Sequence, residues 1–334
     1  MRNLFSRPGF SRWALALGLT GALAACQNAG SSLGFDLTRS AAINVLLYLD
    51  RDGSRTPTNL DTSFAKARVA LLAHGTNDTV KFQTSSGIGV ARFDAVPVGQ
   101  YRIAVVQSSI GDSITVAAID TNEVTLAARD TAVNVIVRLS YPELTIRQAR
   151  ALPLGKRAFI RGVVLAGVQS FRDTTSHIAD SSGQIRLTRV ALRGGLTGNN
   201  PGDSVSVLGV ASSRAGQPTL DQSLLTRIGS RPAPIAFSLN TASAATASGG
   251  TLDAALVQVI GVNISDTVAV SPDFQVTASD GSGPVKIILD ANLGFPRTLF
   301  RPGHSINVKG VLVPDGLGGW NLKPRDFSDV VFNN

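Results

Sequence analysis

The chain has 334 residues, 43% hydrophobic, 16% charged and 6% aromatic, with 33 glycines and one cysteine. One core rarely grows past about 250–300 residues, so the length points to two or three domains. The glycine-rich, aromatic-poor composition points to strands rather than helices. A single Cys excludes an intramolecular disulfide framework and a Cys-rich zinc site. Three histidines, His74, His177 and His304, argue against a multi-histidine metal centre. The net charge of +8 is unevenly placed. Residues 1–25 hold three Arg and no acid, and 27–140 hold ten basic and ten acidic residues. Residues 141–232 hold 12 and 5, and 233–334 hold 6 and 8. The basic character of the chain after its first 25 residues therefore sits in one section.

Residues 1–25 read as a secretory signal. Arg2, Arg7 and Arg12 precede an apolar run from Trp13 to Ala25 that ends in small residues. That run is too short to span a bilayer, which takes about 20 residues. Leu23-Ala-Ala-Cys26 resembles the lipobox of bacterial lipoproteins. The resemblance implies cleavage before Cys26 and acylation of that residue, and several acyl chains anchor stably where one does not. Gln27, a residue other than Asp, implies the outer membrane by the enterobacterial sorting rule, facing the periplasm or the cell surface. Residues 26–35 read as a flexible tether.

Residues 36–140 read as a small β-sandwich. Ile43, Val45, Leu47 and Leu49 alternate with less apolar neighbours, and short strands follow at Ala67–Ala73, Val80–Thr84, Val90–Phe93, Tyr101–Val106, Ile114–Ala118 and Val133–Leu139. Phe93, Val96, Pro97, Gly99 and Tyr101 resemble the Phe…Val-Pro-x-Gly-x-Tyr ending of Ig-like and prealbumin-like (carboxypeptidase-regulatory-like) modules of bacterial surface proteins. The resemblance implies core and turn roles for these residues. Some such modules bind calcium in an acidic turn, and Asp50, Asp52 and Asp61 offer oxygen ligands here. Gly53 stands at position four of that turn rather than six, and position twelve is an Asp. The reading adopted is a solvated turn capped by Asp and Gly, with Ca²⁺ as the alternative and no other cofactor expected.

Residues 141–334 contain a duplication. Arg161-Gly-Val-Val recurs as Ile260-Gly-Val-Asn, Asp180-Ser-Ser-Gly as Asp280-Gly-Ser-Gly, and Pro201-Gly-Asp-Ser as Pro302-Gly-His-Ser. Each copy predicts a short leader helix (145–152; 238–247), a strand (157–164; 255–262), a second strand ending in Asp, a Gly turn, a third strand (184–190; 285–289), and a closing pair of strands. That order predicts a five-stranded OB-like barrel at 141–232 and another at 233–334. It resembles the OB modules that accompany secreted bacterial nucleases and lipoproteins. The ending Trp320-Asn-Leu-Lys-Pro-Arg-Asp matches those modules better than the first copy's Thr219-Leu-Asp-Gln. The fold class expected is all-β, an Ig-like or prealbumin-like sandwich followed by two tandem barrels.

No nucleophile elbow, phosphate loop or carboxylate pair with acid–base spacing emerges from the sequence, so a non-catalytic role is expected. An OB barrel binds single strands on the face of strands two and three, using basic side chains and stacking rings. Arg172, His177, Arg186, Arg189 and Arg193 are the candidates for nucleic acid or another polyanion in the basic copy. Arg186 and Arg189 are an odd number of residues apart and do not share a face of one regular strand. Tyr141, Phe159 and Phe171 are the copy's aromatic residues, a thin stacking platform. The expectation is a lipid-anchored envelope protein that binds or supports a protein or glycan partner, with an extracellular nucleic-acid binder, accessory to a nuclease, as the alternative.

Overall fold

The computed structural model describes residues 36–127, 132–232 and 234–333. The signal, Cys26 and the tether lie outside the described residues. The described chain is nearly all β, and it packs as two units. Residues 36–49 and 62–139 form the first. Residues 50–61 group with 140–333 in the second.

In the first unit a curled sheet has the order β4-β3-β5-β1-β8-β6, with β2 on β1 and β7 on β5. Its strands are β1 (Asp36–Asp50), β2 (Thr62–Ser63), β3 (Arg68–Ala73), β4 (Thr79–Thr84), β5 (Val90–Val105), β6 (Thr115–Ile119), β7 (Glu123–Leu126) and β8 (Ala132–Ser140). The curl comes from β5, which is 16 residues long and changes partner midway. Val90–Val98 pair with β1, whereas Tyr101–Val105 pair with β3. The change falls on Val96-Pro97-Val-Gly99. Phe93, Val96 and Tyr101 are buried, and the Tyr101 hydroxyl donates to the Pro97 carbonyl at 2.7 Å. Burial pushes the Tyr101 phenol up to about 12. These residues are core and corner, as their pattern implied.

The second unit holds two closed five-strand OB-like barrels. The first is built from β10 (Arg157–Ala166), β11 (Ser176–Asp180), β12 (Gly183–Leu187), β14 (Asp203–Arg214) and β15 (Gln217–Ser230), after β9 (Glu143–Leu144) and α1 (Ile146–Arg150), with β13 (Ala191–Leu192) beside β15. β11 closes on β10, and β12 runs parallel to β15. The second repeats the plan. It comprises β16 (Phe237–Ser238), α2 (Thr241–Ala245), β17 (Leu256–Val270), β18 (Asp273–Ser279), β19 (Pro284–Leu289), β20 (Ser305–Pro314), β21 (Trp320–Lys323) and β22 (Val330–Asn333). Its fifth strand is broken into β21 and β22, and β20 pairs with both.

The repeated Asp-x-Ser-Gly is a helix clamp. The first N–H groups of a helix have no partner within it. In the first barrel Ile146 N–H donates to Asp180 Oδ2 (2.8 Å), Arg147 N–H to Ser182 Oγ (3.0 Å), and Gln148 N–H to the N-cap Thr145 Oγ1 (3.3 Å). In the second, Thr241 N–H donates to Asp280 Oδ2 (3.0 Å), Ala242 N–H to Ser282 Oγ (3.1 Å), and Ser243 N–H to the N-cap Asn240 Oδ1 (2.8 Å). The turn between strands two and three thus fixes the leader helix over one end of each barrel, where Ile146 and Ala149, and Ala244, enter the cores. Hydrogen bonds from Ser282 and Thr241 hold the Asp280 carboxyl below its ordinary range.

Replacing Asp180 by Ala removes the Ile146 acceptor and the turn bonds to Ser182 and Gly183 together. Loss of a helix cap costs about 1–2 kcal/mol, so urea unfolding of Asp180→Ala is expected to show that loss. Unchanged stability would contradict the clamp.

Candidate functional site

The ligand face of an OB barrel is the outer side of strands two and three. Here Ile178, Ile185 and Leu187 point into the first barrel's core, so alternation turns His177, Ala179 and Arg186 outward. His177 and Arg186 are nevertheless buried, at 0% and 5% exposed. The second barrel covers this face. Leu165, Ala166 and Phe171 of the first barrel form one buried cluster with Leu256 and Val311 of the second, and Ala179 packs against it. The Phe171 ring meets the His177 ring edge-on with centroids 5.8 Å apart, and Lys323 Nζ lies 4.5 Å over the Phe171 ring.

Polar bonds surround that apolar seam. Arg150 Nη1 lies 3.2 Å from Asp253 Oδ2, whose other oxygen accepts from the Trp320 indole N–H at 2.9 Å. Arg172 N–H donates to Asp290 (3.2 Å), and Lys323 donates to the same carboxylate at 2.9 Å. The Arg325 guanidinium grips Asp329 with Nε (2.7 Å) and Nη2 (2.8 Å), leaving Nη1 to donate to the Leu165 carbonyl at 2.8 Å. Asn292 Nδ2 donates to the Gln169 carbonyl at 2.7 Å. Lys323, Arg325 and Asp329 all lie at or within the break between β21 and β22. The Lys-Pro-Arg-Asp ending differs from the first copy because it builds this seam.

The five polyanion candidates are not brought together on one exposed face. Burial first, then the charges of Arg186 and Lys323, push the His177 imidazole down to about 3, with Asp173 opposing, and neither ring nitrogen has a hydrogen-bond partner. Arg186 pairs with His177 across β11–β12, and its Nη2 reaches the Arg214 carbonyl at 3.3 Å. Burial and then Arg214 lower the Arg186 guanidinium, with Asp253 opposing. Arg189 lies beyond the end of β12, where its φ of +47° turns the chain, so it and Arg186 do not share a strand. Arg189 is exposed and forks onto Asp221, with Nε 2.7 Å from Oδ1. Arg172 is exposed in the loop after β10, and Arg193 is half-buried beside β15.

Asp50, Asp52 and Asp61 do converge, with one oxygen from each within 4.8 Å of the others. Each also closes the turn. Gly53 N–H donates to Asp50 (2.7 Å), Ser54 N–H to Asp52 (2.9 Å), and Arg51 N–H to Asp61 (3.0 Å). Desolvation, then the charges of Asp52 and Asp50, raise the Asp61 carboxyl against its backbone bonds. The donors are all oxygen, the chemistry of a hard divalent cation. The turn rests on β10 and β14. Ser206 Oγ donates to the Asp52 carbonyl at 3.1 Å, and a Cβ at Gly53 would come within 2.9 Å of the Phe159 ring.

A groove of about 610 Å³ opens on the first barrel. Glu143, Arg161, Ser204, Ile228 and Arg231 line it with the start of the Asp180 turn. Arg161 Nε is paired with Glu143 Oε2 at 3.2 Å. No motif marks these residues in the sequence, and Arg161 standing where the second copy has Ile260 is their one visible asymmetry. Among the described residues no helix is long and apolar enough to cross a membrane.

No family model matches the chain, and no curated protein matches it. Solved structures that match in part include asparaginyl-tRNA synthetase from Pyrococcus horikoshii, at 17% identity over 28% of this chain with a TM-score of 0.23. A full-length major pilin from Corynebacterium diphtheriae matches at 14% identity over 44%, with a TM-score of 0.25. A murine DNA-binding protein bound to double-stranded DNA matches at 11% identity over 52%, with a TM-score of 0.28. The chain spans 21% of the synthetase, 39% of the pilin and 97% of the murine protein. Likeness at this level does not bear on function.

His177 makes the seam acid-sensitive. Its folded pKa of about 3 lies below the ordinary 6.5, so the unfolded chain binds the extra proton between those values. Stability is therefore complete above pH 6.5 and falls as pH drops below it, by up to about 1.4 kcal/mol per unit. Between pH 6.5 and 4.5, above most carboxylate titration, His177→Leu is expected to flatten this loss in denaturant unfolding. An undiminished slope in the variant would contradict the buried neutral ring.

Proposed function

We propose that the chain is a lipid-anchored envelope protein, held at the outer membrane through Cys26, whose two barrels form a non-catalytic binding or structural body for a protein or glycan partner. The first unit acts as an Ig-like or prealbumin-like spacer between anchor and barrels. One observation carries the choice of partner class. The strand-two and strand-three face, where OB barrels hold nucleic-acid strands, is closed by the second barrel, and its His177 and Arg186 are buried. The basic residues left in solvent are spread over other faces. Of the candidates, Arg189 is already forked onto Asp221. The lipobox at 23–26, the short apolar run before it and the polar tether after it support the anchoring.

The test is fractionation of the full chain with its acylation read by a palmitate analogue, followed by retention of detergent-solubilised protein on single-stranded DNA. Cys26→Ser is expected to lose the label and leave the membrane pellet. Wild type is expected to leave the DNA column at low salt. Normal labelling and sedimentation of Cys26→Ser would refute the anchor. Tight DNA retention with a steep salt dependence would instead establish the nucleic-acid reading, because each neutralised phosphate releases counterions.

A further inference from the structure

The duplication provides an internal comparison for the groove on the first barrel. In the second barrel the corresponding place is a bulge at Ile260-Gly261, where β17 gains one residue against β20. Gly261 N–H donates to Asn307 Oδ1 at 2.7 Å, Asn307 Nδ2 to Asn333 Oδ1 at 3.1 Å, and Asn333 Nδ2 to Ser305 Oγ at 3.1 Å. The Ser of the second Pro-Gly-x-Ser is thereby satisfied. In the first barrel the equivalent Ser204 Oγ has no hydrogen-bond partner, although it is shielded from solvent. Arg161 Nε is shielded as well, and its ion pair with Glu143 lacks hydrogen-bond geometry. Arg231 brings a second, exposed guanidinium to the groove. The Asp180 carboxylate beside them is engaged by the α1 clamp.

The Arg161 side chain is 32% exposed and Arg231 is exposed, so two guanidinium groups border an open groove where an acceptor can sit. Two guanidiniums suit an oxyanion, and Arg binds carboxylate through two parallel N–H groups. Leu144, Val163, Ala179 and Ile228 also line it, with Thr145 and Ser181, and no aromatic ring is there to stack on a sugar. We propose that this groove binds a carboxylate on an acidic peptide segment of a partner protein, with Arg161 and Arg231 as its donors and Glu143 holding Arg161 in position. The proposal rests on the reading of the barrels as a partner-binding body.

Fluorescein-labelled hexaglutamate, added to the detergent-solubilised full chain and followed by anisotropy, tests it. Arg161→Gln and Arg231→Gln are each expected to weaken binding about tenfold or more, since each removes charge-assisted hydrogen bonds. Arg189→Gln is expected to leave it unchanged. Arg231 is exposed, so its variant reads the site even if Arg161→Gln fails to fold. No binding by wild type, or equal binding by Arg231→Gln, would overturn the proposal. Preference for polygalacturonate, lost in the same variants, would overturn it in favour of an acidic glycan. Membrane fractionation of these variants stays normal if only the groove is at fault, which separates failure here from failure of the anchored-protein reading.

Discussion

A buried imidazole and a buried guanidinium stand side by side on β11 and β12 because the second barrel lies over them. Taking either out of water is unfavourable without compensation. The compensation is apolar contact at the centre of the seam and charge at its margin. Phe171, Leu165, Leu256 and Val311 exclude water, while Arg150–Asp253, Lys323–Asp290 and Arg325–Asp329 enclose them. Asp253 from the second barrel faces Arg186 of the first, and Lys323 faces Asp173. The basic copy and the acidic copy are thus complementary where they meet. The closed face follows from this contact.

Both copies keep the elements that make a barrel and differ where a barrel meets something else. The Asp-x-Ser-Gly clamp satisfies two helix N–H groups in each copy and the N-cap side chain a third. The glycine of Pro-Gly-x-Ser donates to Val164 O in one and Ile264 O in the other, at 2.9 and 2.8 Å. Divergence lies at the fifth strand, continuous in the first copy and broken in the second to supply Lys323, Arg325 and Asp329. It lies also at Ile260-Gly261, where a bulge and an asparagine pair satisfy the serine whose counterpart in the first copy has no partner.

Much of the scaffold was legible because it is local. Strand alternation, the repeated motifs and their order gave the two barrels, and the offset of 99 that grows to 100 is the bulge in β17. The Phe93-to-Tyr101 pattern marked the corner at which β5 changes partner, although the curled sheet it belongs to is a coarser likeness than the sandwich expected. The parity conflict between Arg186 and Arg189 was also legible, and the structure resolves it by ending the strand at Leu187 and turning the chain at Arg189. Barrel-to-barrel contact was not legible, because no periodicity encodes which outer face another domain covers. His177 alternates on β11 just as a solvent-facing residue would. Phe171, an apolar ring in a loop, and the Lys-Pro-Arg-Asp ending were its only traces. The groove depends on Arg161, Ser204 and Arg231 meeting across β10, β14 and the end of β15, which spacing along the chain does not reveal.

The account stands on the closure of the β11–β12 face. In a Cys26→Ser background, His177→Cys places the chain's one thiol in the seam. Its rate of alkylation under native conditions, compared with the urea-unfolded chain, reads the closure directly. A seam that holds the two barrels as one body predicts alkylation orders of magnitude slower than in the unfolded chain, opened only through rare separation of the barrels. A native rate close to the unfolded rate, with the chain still folded by circular dichroism, would show that the face is open to solvent and would contradict the account.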